Sequence, residues 1–412
     1  MSNQVKKILI LIESINPNDS SGVKGRLALI NNLIKIGHAV KVLHLDLNYT
    51  ETTKFKTKAV QRYKSSKFYW LSKLNTFLKK FGVKINAWVE SRFGFSFAHF
   101  EDVHRFKKAL QQENPEDYDI VLTCSKAASF RPHKAVLQSP KWHNKWYAYI
   151  HDPYPMYAYP RPYDWAEPGS LHKRAFFLEL YAEAAKLVYP SELLAQWMES
   201  YYPNNEYKRL IIPHQITTHL KTNNDNTIKL PSFFDENNFN LLHAGSLMKQ
   251  RPPSVLMKAF NQFLSNNSSA KDNARLIFIG GAFEGHKNKM RILKNDNIIN
   301  HDSYIQFNIV FQLQKLASVN IVIEADTWLS PFLPGKIPHL VIANKPILHI
   351  GPTMSETMRL LGQDYKLHTP NNEKHIEELA NKIETVYHLW QKDKSLNLNR
   401  EDLESYLSNI NL

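Results

Sequence analysis

The chain has 412 residues, a net charge of +14 and 43% hydrophobic residues, so it is too long for one simple core and we expect two domains. No apolar run reaches the roughly 18 residues of a membrane-spanning helix, and the amino terminus resembles a strand rather than a signal peptide. The single cysteine, Cys124, excludes an internal disulfide and a cysteine metal cluster. We therefore expect a cytoplasmic protein in which Cys124 is a buried small residue rather than a nucleophile.

The first 46 residues predict the opening of a doubly wound α/β domain. A buried strand at 6–13 leads through a polar loop to a helix at 26–37, and a second strand follows at 38–46. Gly22 and Gly25 stand where the loop meets the helix, without the GxGxxG spacing of a dinucleotide site. These glycines either let a phosphate or sugar approach or form only a tight turn.

The excess positive charge is local. Residues 54–84 contain ten Lys or Arg, seven aromatics and no acid, which leaves the rest of the chain at about +4. Large apolar residues recur there at roughly helical spacing: Phe68, Trp70, Leu74, Phe77, Leu78 and Phe81. The pattern favours a basic amphipathic helix on an anionic membrane or an acidic acceptor, with a packed structural helix and a nucleic-acid surface as alternatives.

A second group of polar residues follows a strand in the first half. After a helix at 97–112 and a strand at 118–123, the strand at 146–150 runs into His151 and Asp152. There His151 can bind a sugar hydroxyl or move a proton, while the plainer interpretation is that Asp152 caps the loop and His151 packs. The aromatic and proline residues that follow favour a carbohydrate-lined cleft.

The first half ends with a predicted helix at 173–186, a strand, and a helix with Ser191 as its N-cap and Leu194 on its apolar face. Residues 217–240 are rich in Asn and Asp, so the domain boundary is predicted there.

The second half repeats the alternation of strand and helix, which predicts a second Rossmann-like domain. In the loop after its first strand, Lys249 and Arg251 can meet a diphosphate, although surface cations are common. Farther on, the strands at 320–325 and 345–350 bracket a loop with Gly335 and Lys336 that opens a helix. Such a loop suits phosphate, whereas the alternative is an ordinary βαβ crossover with a proline-rich turn.

With these residues in place, the chain resembles the retaining glycosyltransferases of GT-B fold, of the family 4 type that builds bacterial surface polysaccharides. The resemblance covers most of the chain and rests on the order of several stretches: VKGRLALINNLIKIGHAVKVLHLD, YIHDPYP, VYPSELLAQWM, LLHAGSLMKQRPPSVLMKAF and SPFLPGKIPHLVIANKPIL. It implies two Rossmann-like domains across a cleft. Residues 1–216 would hold the acceptor and carry a basic aromatic insertion at about 54–108; residues 217–388 would hold the donor, and a helix at 389–412 would return to the first domain.

The resemblance also implies a donor site. The family places an arginine directly after a glycine and a lysine five positions on; here Ser246 follows Gly245, Arg251 takes the second place and Lys249 lies between. The family's two glutamates are replaced by Pro331 and His339, so His339 and Glu324 become candidates for the donor sugar hydroxyls and the ribose.

The reaction implied is transfer of a sugar from a nucleotide diphosphate sugar to a glycan or lipid-linked acceptor. Lys249, Arg251, Lys336 and the Gly335 N–H would stabilise the diphosphate leaving group without a metal or other cofactor. His151 would position the donor sugar, Asp152 would orient the loop or the histidine, and Gly22 would allow the donor to approach. We expect a cytoplasmic enzyme, peripheral on the inner face of the cytoplasmic membrane, that does not bind nucleic acid.

Two other functions fit parts of the sequence. A nucleotide-sugar epimerase would need acid and base carboxylates, of which the sequence offers few. A nonenzymatic glycan- or membrane-binding partner of a transferase would explain the missing glutamates.

Overall fold

The computed structural model describes residues 4–17, 19, 21–47, 55–156, 166–203, 206–217 and 229–412. The chain divides into two compact units, Met1–Thr217 with Ser408–Leu412, and Thr218–Leu407. Residues 218–228 of the predicted linker and residues 157–165 of the predicted aromatic loop lie outside the described residues, as does Lys54.

A seven-stranded parallel sheet forms the centre of the first unit. Its strands lie in the order β3-β2-β1-β4-β5-β6-β7. The bounds are β1 Lys7–Ile12, β2 Ala39–His44, β3 Lys56–Ala59, β4 Ile120–Cys124, β5 Trp146–Tyr149, β6 Lys186–Tyr189 and β7 Arg209–Ile211. The central strands β1 and β4 are almost continuously apolar because both faces of a parallel sheet are covered.

Seven α-helices of the first unit are described, and three of them follow one another between β3 and β4. Their bounds are α1 Ser21–Lys35, α2 Lys67–Lys80, α3 Asn86–Phe93, α4 Phe97–Leu110, α5 Arg131–Leu137, α6 Ser170–Glu183 and α7 Glu192–Glu199. The hydroxyl of Ser191 accepts a hydrogen bond from the N–H of Leu194, which confirms the predicted N-cap of α7. Cys124 is buried, as predicted, and burial raises the pKa of its thiol to about 12.

The second unit contains a six-stranded parallel sheet in the order β10-β9-β8-β11-β13-β15, with β12 and β14 paired separately. The strands are β8 Phe239–Ala244, β9 Ala274–Ile279, β10 Ile298–His301, β11 Val319–Ile323, β12 Leu329–Ser330, β13 Ile347–Ile350, β14 Met354–Ser355 and β15 His368–Thr369. The helices are α8 Ser254–Asn266, α9 Ala270–Asn273, α10 Glu284–Leu293, α11 Phe307–Leu316, α12 Ile337–Ala343, α13 Glu356–Leu361, α14 Ile376–Lys392 and α15 Glu401–Ser408.

Alternate residues of β8 enter cores on opposite faces of the second sheet. Phe239 and Leu241 pack into a cluster with α8 and α14, whereas Leu242 packs with the apolar side of α11. This two-sided burial explains why the strand is almost wholly apolar in sequence.

Four segments differ from the sequence interpretation. The edge strands β3 and β10 lie where the sequence predicted only a basic segment and a polar helical region, because short edge strands carry little apolar signal. The helix predicted at 173–186 runs from Ser170 to Glu183. The chain from residue 389 was expected to return to the first unit, but α14 continues to Lys392 in the second unit's core, and only Ser408–Leu412 groups with the first.

Each sheet has one point at which the strand order reverses, and ligands of open α/β folds bind at such points. The order reverses between β1 and β4 in the first unit and between β8 and β11 in the second. The crevice outside the carboxyl ends of each pair is therefore the place to look for a site.

Candidate functional site

The reversal point of the second sheet places Gly245 against Lys336. Gly245 follows β8 with φ +139°, and a β-carbon on it would lie 3.2 Å from Lys336 Nζ. The ammonium group also lies 3.5 Å from Nδ1 of His243, the penultimate residue of β8. Glycine thus lets the lysine side chain reach the backbone at the end of the central strand.

The charge of Lys336 is poorly solvated. Burial is the main cause that lowers the pKa of Lys336 to about 7, and the nearby Arg251 guanidinium lowers it further, while Glu324 opposes both. Arg251 and Lys336 are both half-buried, and two neighbouring cations favour an anionic ligand, because a bound anion would offset the desolvation of Lys336 and the repulsion between the two charges. α12 has only seven residues, so the side chain of Lys336 rather than the helix end carries this argument.

A hydrogen-bonded amide fixes the loop that carries Arg251. The buried Asn371 donates through Nδ2 to the carbonyl oxygen of Glu324 at 3.0 Å and to that of Pro252 at 3.4 Å. The loop after β8 is thereby tied to the end of β11. In the same loop Ser246 and Lys249 are exposed, as is Gly335 across the crevice.

Glu324 is 2% exposed and belongs to a buried chain of hydrogen bonds. Its Oε1 accepts from Nε2 of His349 at 3.1 Å and from the hydroxyl of Thr357. Burial opposes ionisation of this carboxyl, but the contacts with His349 and the hydrogen bonds from Ser330 and Thr357 together outweigh burial and lower the pKa of Glu324. Glu324 therefore acts on Lys336 through its charge rather than as a group that faces solvent.

His339 points toward α11 in the structure. Its ring centroid lies 4.7 Å from that of Phe307 and 6.5 Å from that of Phe311. The structure thus brings Gly245, Arg251, Glu324 and Lys336 together, and it places His339 in an aromatic packing contact.

In the first unit, Arg26 joins the ends of the central strands at the reversal point. Arg26 is 4% exposed, and its Nη1 donates to the carbonyl oxygen of Ser125, just after β4, at 3.1 Å. Its Nε and Nη2 are buried and have no hydrogen-bond partner among the described residues. Burial lowers the pKa of Arg26, and the carboxylates of Glu13 and Asp152 partly offset this effect.

His151 and Asp152 follow β5 beside this arginine. Burial raises the pKa of Asp152, and Arg26 opposes the shift. Burial and the charge of Arg26 hold the pKa of His151 well below its usual value, so the ring is neutral at pH 7. The imidazole lies parallel to that of His214 at 6.0 Å between centroids, and its Nε2 meets no hydrogen-bond partner in the described part of the chain.

The amino-terminal turn of α1 lies next to this cluster in sequence. Gly22 is exposed, and a β-carbon on Gly25 would meet no atom within 4 Å. Space is therefore available beside Gly25, one residue before Arg26.

Helix α2 forms an exposed basic aromatic surface, which we define as Trp70, Leu74, Phe77 and Phe81 with the lysines between them. These four side chains recur along one stripe and are exposed by 51–69%. The opposite side of the helix packs on α4, where the rings of Phe68 and Phe100 lie 5.4 Å apart. The helix predicted from the sequence is present, and its two apolar faces have different environments.

Sequence reasoning missed several of these residues. Arg26 appears in the sequence as one cation of an amphipathic helix, and His349 as part of an apolar strand, so neither stands out. Position was the signal for Arg26, because α1 follows β1, which borders the strand reversal of the first sheet. His349 lies on β13, beside β11, and the sequence gives no signal for its contact with Glu324.

Among the described residues, no helix is long and apolar enough to cross a membrane, and no three His, Cys, Asp or Glu side chains are placed to hold a metal ion.

Comparisons with known proteins link this architecture to solved structures. No family model and no curated protein sequence matches the chain. HepE of Anabaena, solved in complex with UDP, is 15% identical with a TM-score of 0.62, over 98% of this chain and 96% of that one. A glycosyltransferase of Rickettsia africae is 14% identical with a TM-score of 0.54, over 98% of both chains. WaaG, a glycosyltransferase of lipopolysaccharide biosynthesis, is 12% identical with a TM-score of 0.54, over 98% of this chain and all of that one.

The chain therefore has the GT-B fold, with two parallel α/β sheets, and the predicted fold class is confirmed.

Proposed function

We propose that the protein is a glycosyltransferase that moves a sugar from a nucleotide diphosphate sugar to a hydroxyl of a glycan or lipid-linked acceptor. The observation that carries the proposal is the contact of Lys336 with Gly245 beside Arg251, where two cations meet at a strand reversal. Further support comes from HepE, which shares the fold and was solved with UDP and with UDP-glucose.

In the proposed reaction, the second unit stabilises the leaving diphosphate. As the bond to the anomeric carbon breaks, negative charge grows on the phosphate oxygens, and Lys336 and Arg251 offset it. A guanidinium can donate two parallel hydrogen bonds to phosphate, whereas the ammonium of Lys336 acts as a point charge. Lys249, exposed in the same loop, adds charge near the entrance. This mechanism needs no metal, so transfer should survive EDTA.

In this proposal, His151 of the first unit forms a hydrogen bond with a hydroxyl of the sugar. Its neutral ring and unpartnered Nε2 suit a hydrogen bond to a substrate rather than an ion pair. Asp152 and Arg26 hold the loop after β5 through their opposite charges. The donor phosphate oxygen takes the acceptor proton, which implies retention at the anomeric carbon.

In this proposal, the basic aromatic surface binds an anionic membrane. Exposed indole and phenyl rings insert at the boundary of headgroups and acyl chains, while Lys73, Lys79 and Lys80 meet acidic lipids. Attachment on the cytoplasmic face would bring the enzyme to a lipid-linked acceptor used for surface polysaccharide. The nucleic-acid alternative has no support from any base-reading motif.

A nonenzymatic glycan- or membrane-binding role is the second candidate. It is favoured by Pro331 and His339 at the places of the expected glutamates, and by the contact of His339 with Phe307. It predicts vesicle binding without turnover of any donor.

The test is release of nucleoside diphosphate from a panel of UDP-, GDP-, ADP- and dTDP-sugars, in the presence of lipid vesicles and glycan fractions. Release from one donor should fall by about a hundredfold or more in Arg251→Ala and His151→Ala. Lys258→Ala, which removes an exposed lysine paired with Glu373, is the matched control and should keep full activity. No release from any donor would favour the nonenzymatic role, and inversion in the product would contradict the retaining mechanism.

A further inference from the structure

A pocket in the second unit lies beside the buried chain of Glu324 and His349. It has a volume of about 430 Å³ and is lined by the loops that follow β11, β13 and β15. This volume lies within the roughly 300–1,000 Å³ range of small-molecule sites. We call it the Trp328 pocket, after its largest exposed side chain.

The lining of the Trp328 pocket is part apolar and part polar. Trp328 is 56% exposed and Met354 is 54% exposed, and Pro352 and Pro370 extend this apolar wall. An exposed indole and thioether of this size are costly to leave in water unless a ligand covers them.

Three uncharged polar side chains complete the wall: Thr327, Thr353 and Gln363. The described lining residues include no Lys, Arg, Asp or Glu. A phosphorylated or carboxylated ligand would therefore find no partner for its charge, which favours a neutral ligand with several hydroxyl groups.

The hydrogen-bond chain ends at Thr353. His349 Nε2 donates to Glu324 at 3.1 Å, and its Nδ1 lies 2.9 Å from Nδ1 of His368. The Nε2 of His368 lies 3.2 Å from the Thr353 hydroxyl oxygen, which holds that side chain in place. A hydroxyl has one hydrogen and two lone pairs, so Thr353 Oγ1 can still accept a hydrogen bond from a ligand.

Sugars combine these two surfaces in one molecule. A pyranose ring has a face of C–H groups, which carry partial positive charge and pack on the negative face of an indole. Around that face it carries hydroxyl groups that donate to Thr353 and exchange hydrogen bonds with Gln363.

We propose that the Trp328 pocket binds a neutral pyranose unit of a glycan, with Trp328 under the ring and Thr353 accepting a hydrogen bond from a hydroxyl. This proposal rests on the proposed function in one respect: it takes the bound glycan to be a substrate of the transfer reaction. Glu324 belongs both to the hydrogen-bond chain behind Thr353 and to the electrostatic surroundings of Lys336, so the pocket and the anion site share one residue.

The experiment measures binding of small sugars to the full chain by saturation-transfer NMR. The probes are the methyl glycosides of glucose, galactose, mannose and N-acetylglucosamine, with glucuronic acid, glucose 6-phosphate and uridine as comparison ligands. We expect at least one neutral glycoside to bind and the two charged sugars and uridine to bind more weakly.

Variants assign the signal to the pocket. Trp328→Ala and Thr353→Val should each weaken glycoside binding by about tenfold, while Thr353→Ser keeps the acceptor and most of the affinity. Trp88→Ala removes an indole that is 64% exposed in the first unit and should leave binding unchanged. Affinity for UDP, measured in the same samples, should persist in Trp328→Ala.

Several results would overturn the proposal: no glycoside binding by the native chain, equal binding in Trp328→Ala, or preference for uridine or a charged sugar. Failure of the proposed transferase function would be a separate result. Glycoside binding by the native chain that is lost in Trp328→Ala would support the sugar-binding pocket, even if the native chain released nucleoside diphosphate from no donor.

Discussion

Lys336 Nζ lies 3.2 Å from the point where a β-carbon on Gly245 would stand, so the residue after the central strand β8 must be small for the lysine to occupy its site. The two residues are 91 positions apart in the sequence. Their contact joins the loop after β8 to the loop that opens α12.

Gly245→Ala should weaken both the fold and the anion site. At φ +139° an alanine is strained by roughly 1–3 kcal/mol, and its methyl group would displace the ammonium of Lys336. We expect lower stability in urea unfolding and an affinity for UDP reduced by about tenfold. Gly281→Ala is the control, because a β-carbon there meets no atom within 4 Å; an equal effect in both variants would remove the special role of Gly245.

Binding of UDP should weaken as the pH rises from 7 to 9. The pKa of Lys336 is about 7 in the unoccupied site, so the cation that binds phosphate is lost above that pH. UDP itself is already fully ionised in this range, since phosphate has its second pKa near 6. The affinity should fall by up to about tenfold per pH unit, with proton uptake on binding.

Calorimetry in two buffers of different ionisation enthalpy measures that proton uptake. Lys336→Arg keeps its charge throughout and should show neither the uptake nor the pH dependence. A pH dependence that survives in Lys336→Arg would assign it to another group.

Acid should destabilise the first unit because two of its buried histidines stay neutral in the folded state. Burial lowers the pKa of His133 to about 3 and is the main cause that lowers the pKa of His214 to about 4. In the unfolded chain both titrate near 6.5, so the native state binds fewer protons, and stability is lost as the pH falls from about 6.5 toward 4.

The expected loss is about 1.4 kcal/mol per pH unit for each histidine, before any relaxation of the site. Urea unfolding at pH 7.0, 5.5 and 4.5 measures it. His214→Gln should reduce the pH slope, whereas His388→Gln, at an exposed position on α14, should not. A slope unchanged in His214→Gln would contradict this assignment.

Replacing two aromatic rings of the basic aromatic surface by carboxylates should release the protein from membranes. Phe77→Glu with Phe81→Glu removes two rings that are 56% and 69% exposed and adds two negative charges. Flotation with vesicles that contain phosphatidylglycerol should show at least about tenfold weaker binding and unchanged thermal stability. Ile292→Glu, which alters a 79% exposed residue of α10, is the matched control; equal loss in that variant would indicate a general effect of charge.

Much of the fold could be predicted because burial on both faces makes the central strands apolar. β8 and α8 follow each other with clear boundaries, since the apolar run of the strand changes to helical spacing after two prolines. The strands β3 and β10 escaped prediction because an edge strand with half-exposed polar residues resembles a loop.

The candidate site was predictable where chemistry and position coincide, as at Lys336 and Arg251. It was not predictable where partners meet across the sheet. His349 and His368 lie on adjacent strands, and their contact depends on the register of β13 with β15, which a short two-residue strand does not reveal. For His339, alignment to a family pattern suggested a ligand role, but the direction of its side chain depends on the rotation of α12.

The segment 408–412 gives the first unit a constraint on its folding. Ile410 lies in the same core cluster as β1, and Lys6 Nζ donates to the carbonyl oxygen of Leu412. This hydrogen bond joins residues that are 406 positions apart, so it closes a very long loop at a cost in conformational entropy. Contacts of such separation form slowly, and we expect the first unit to complete its core only after the second unit's chain has collapsed.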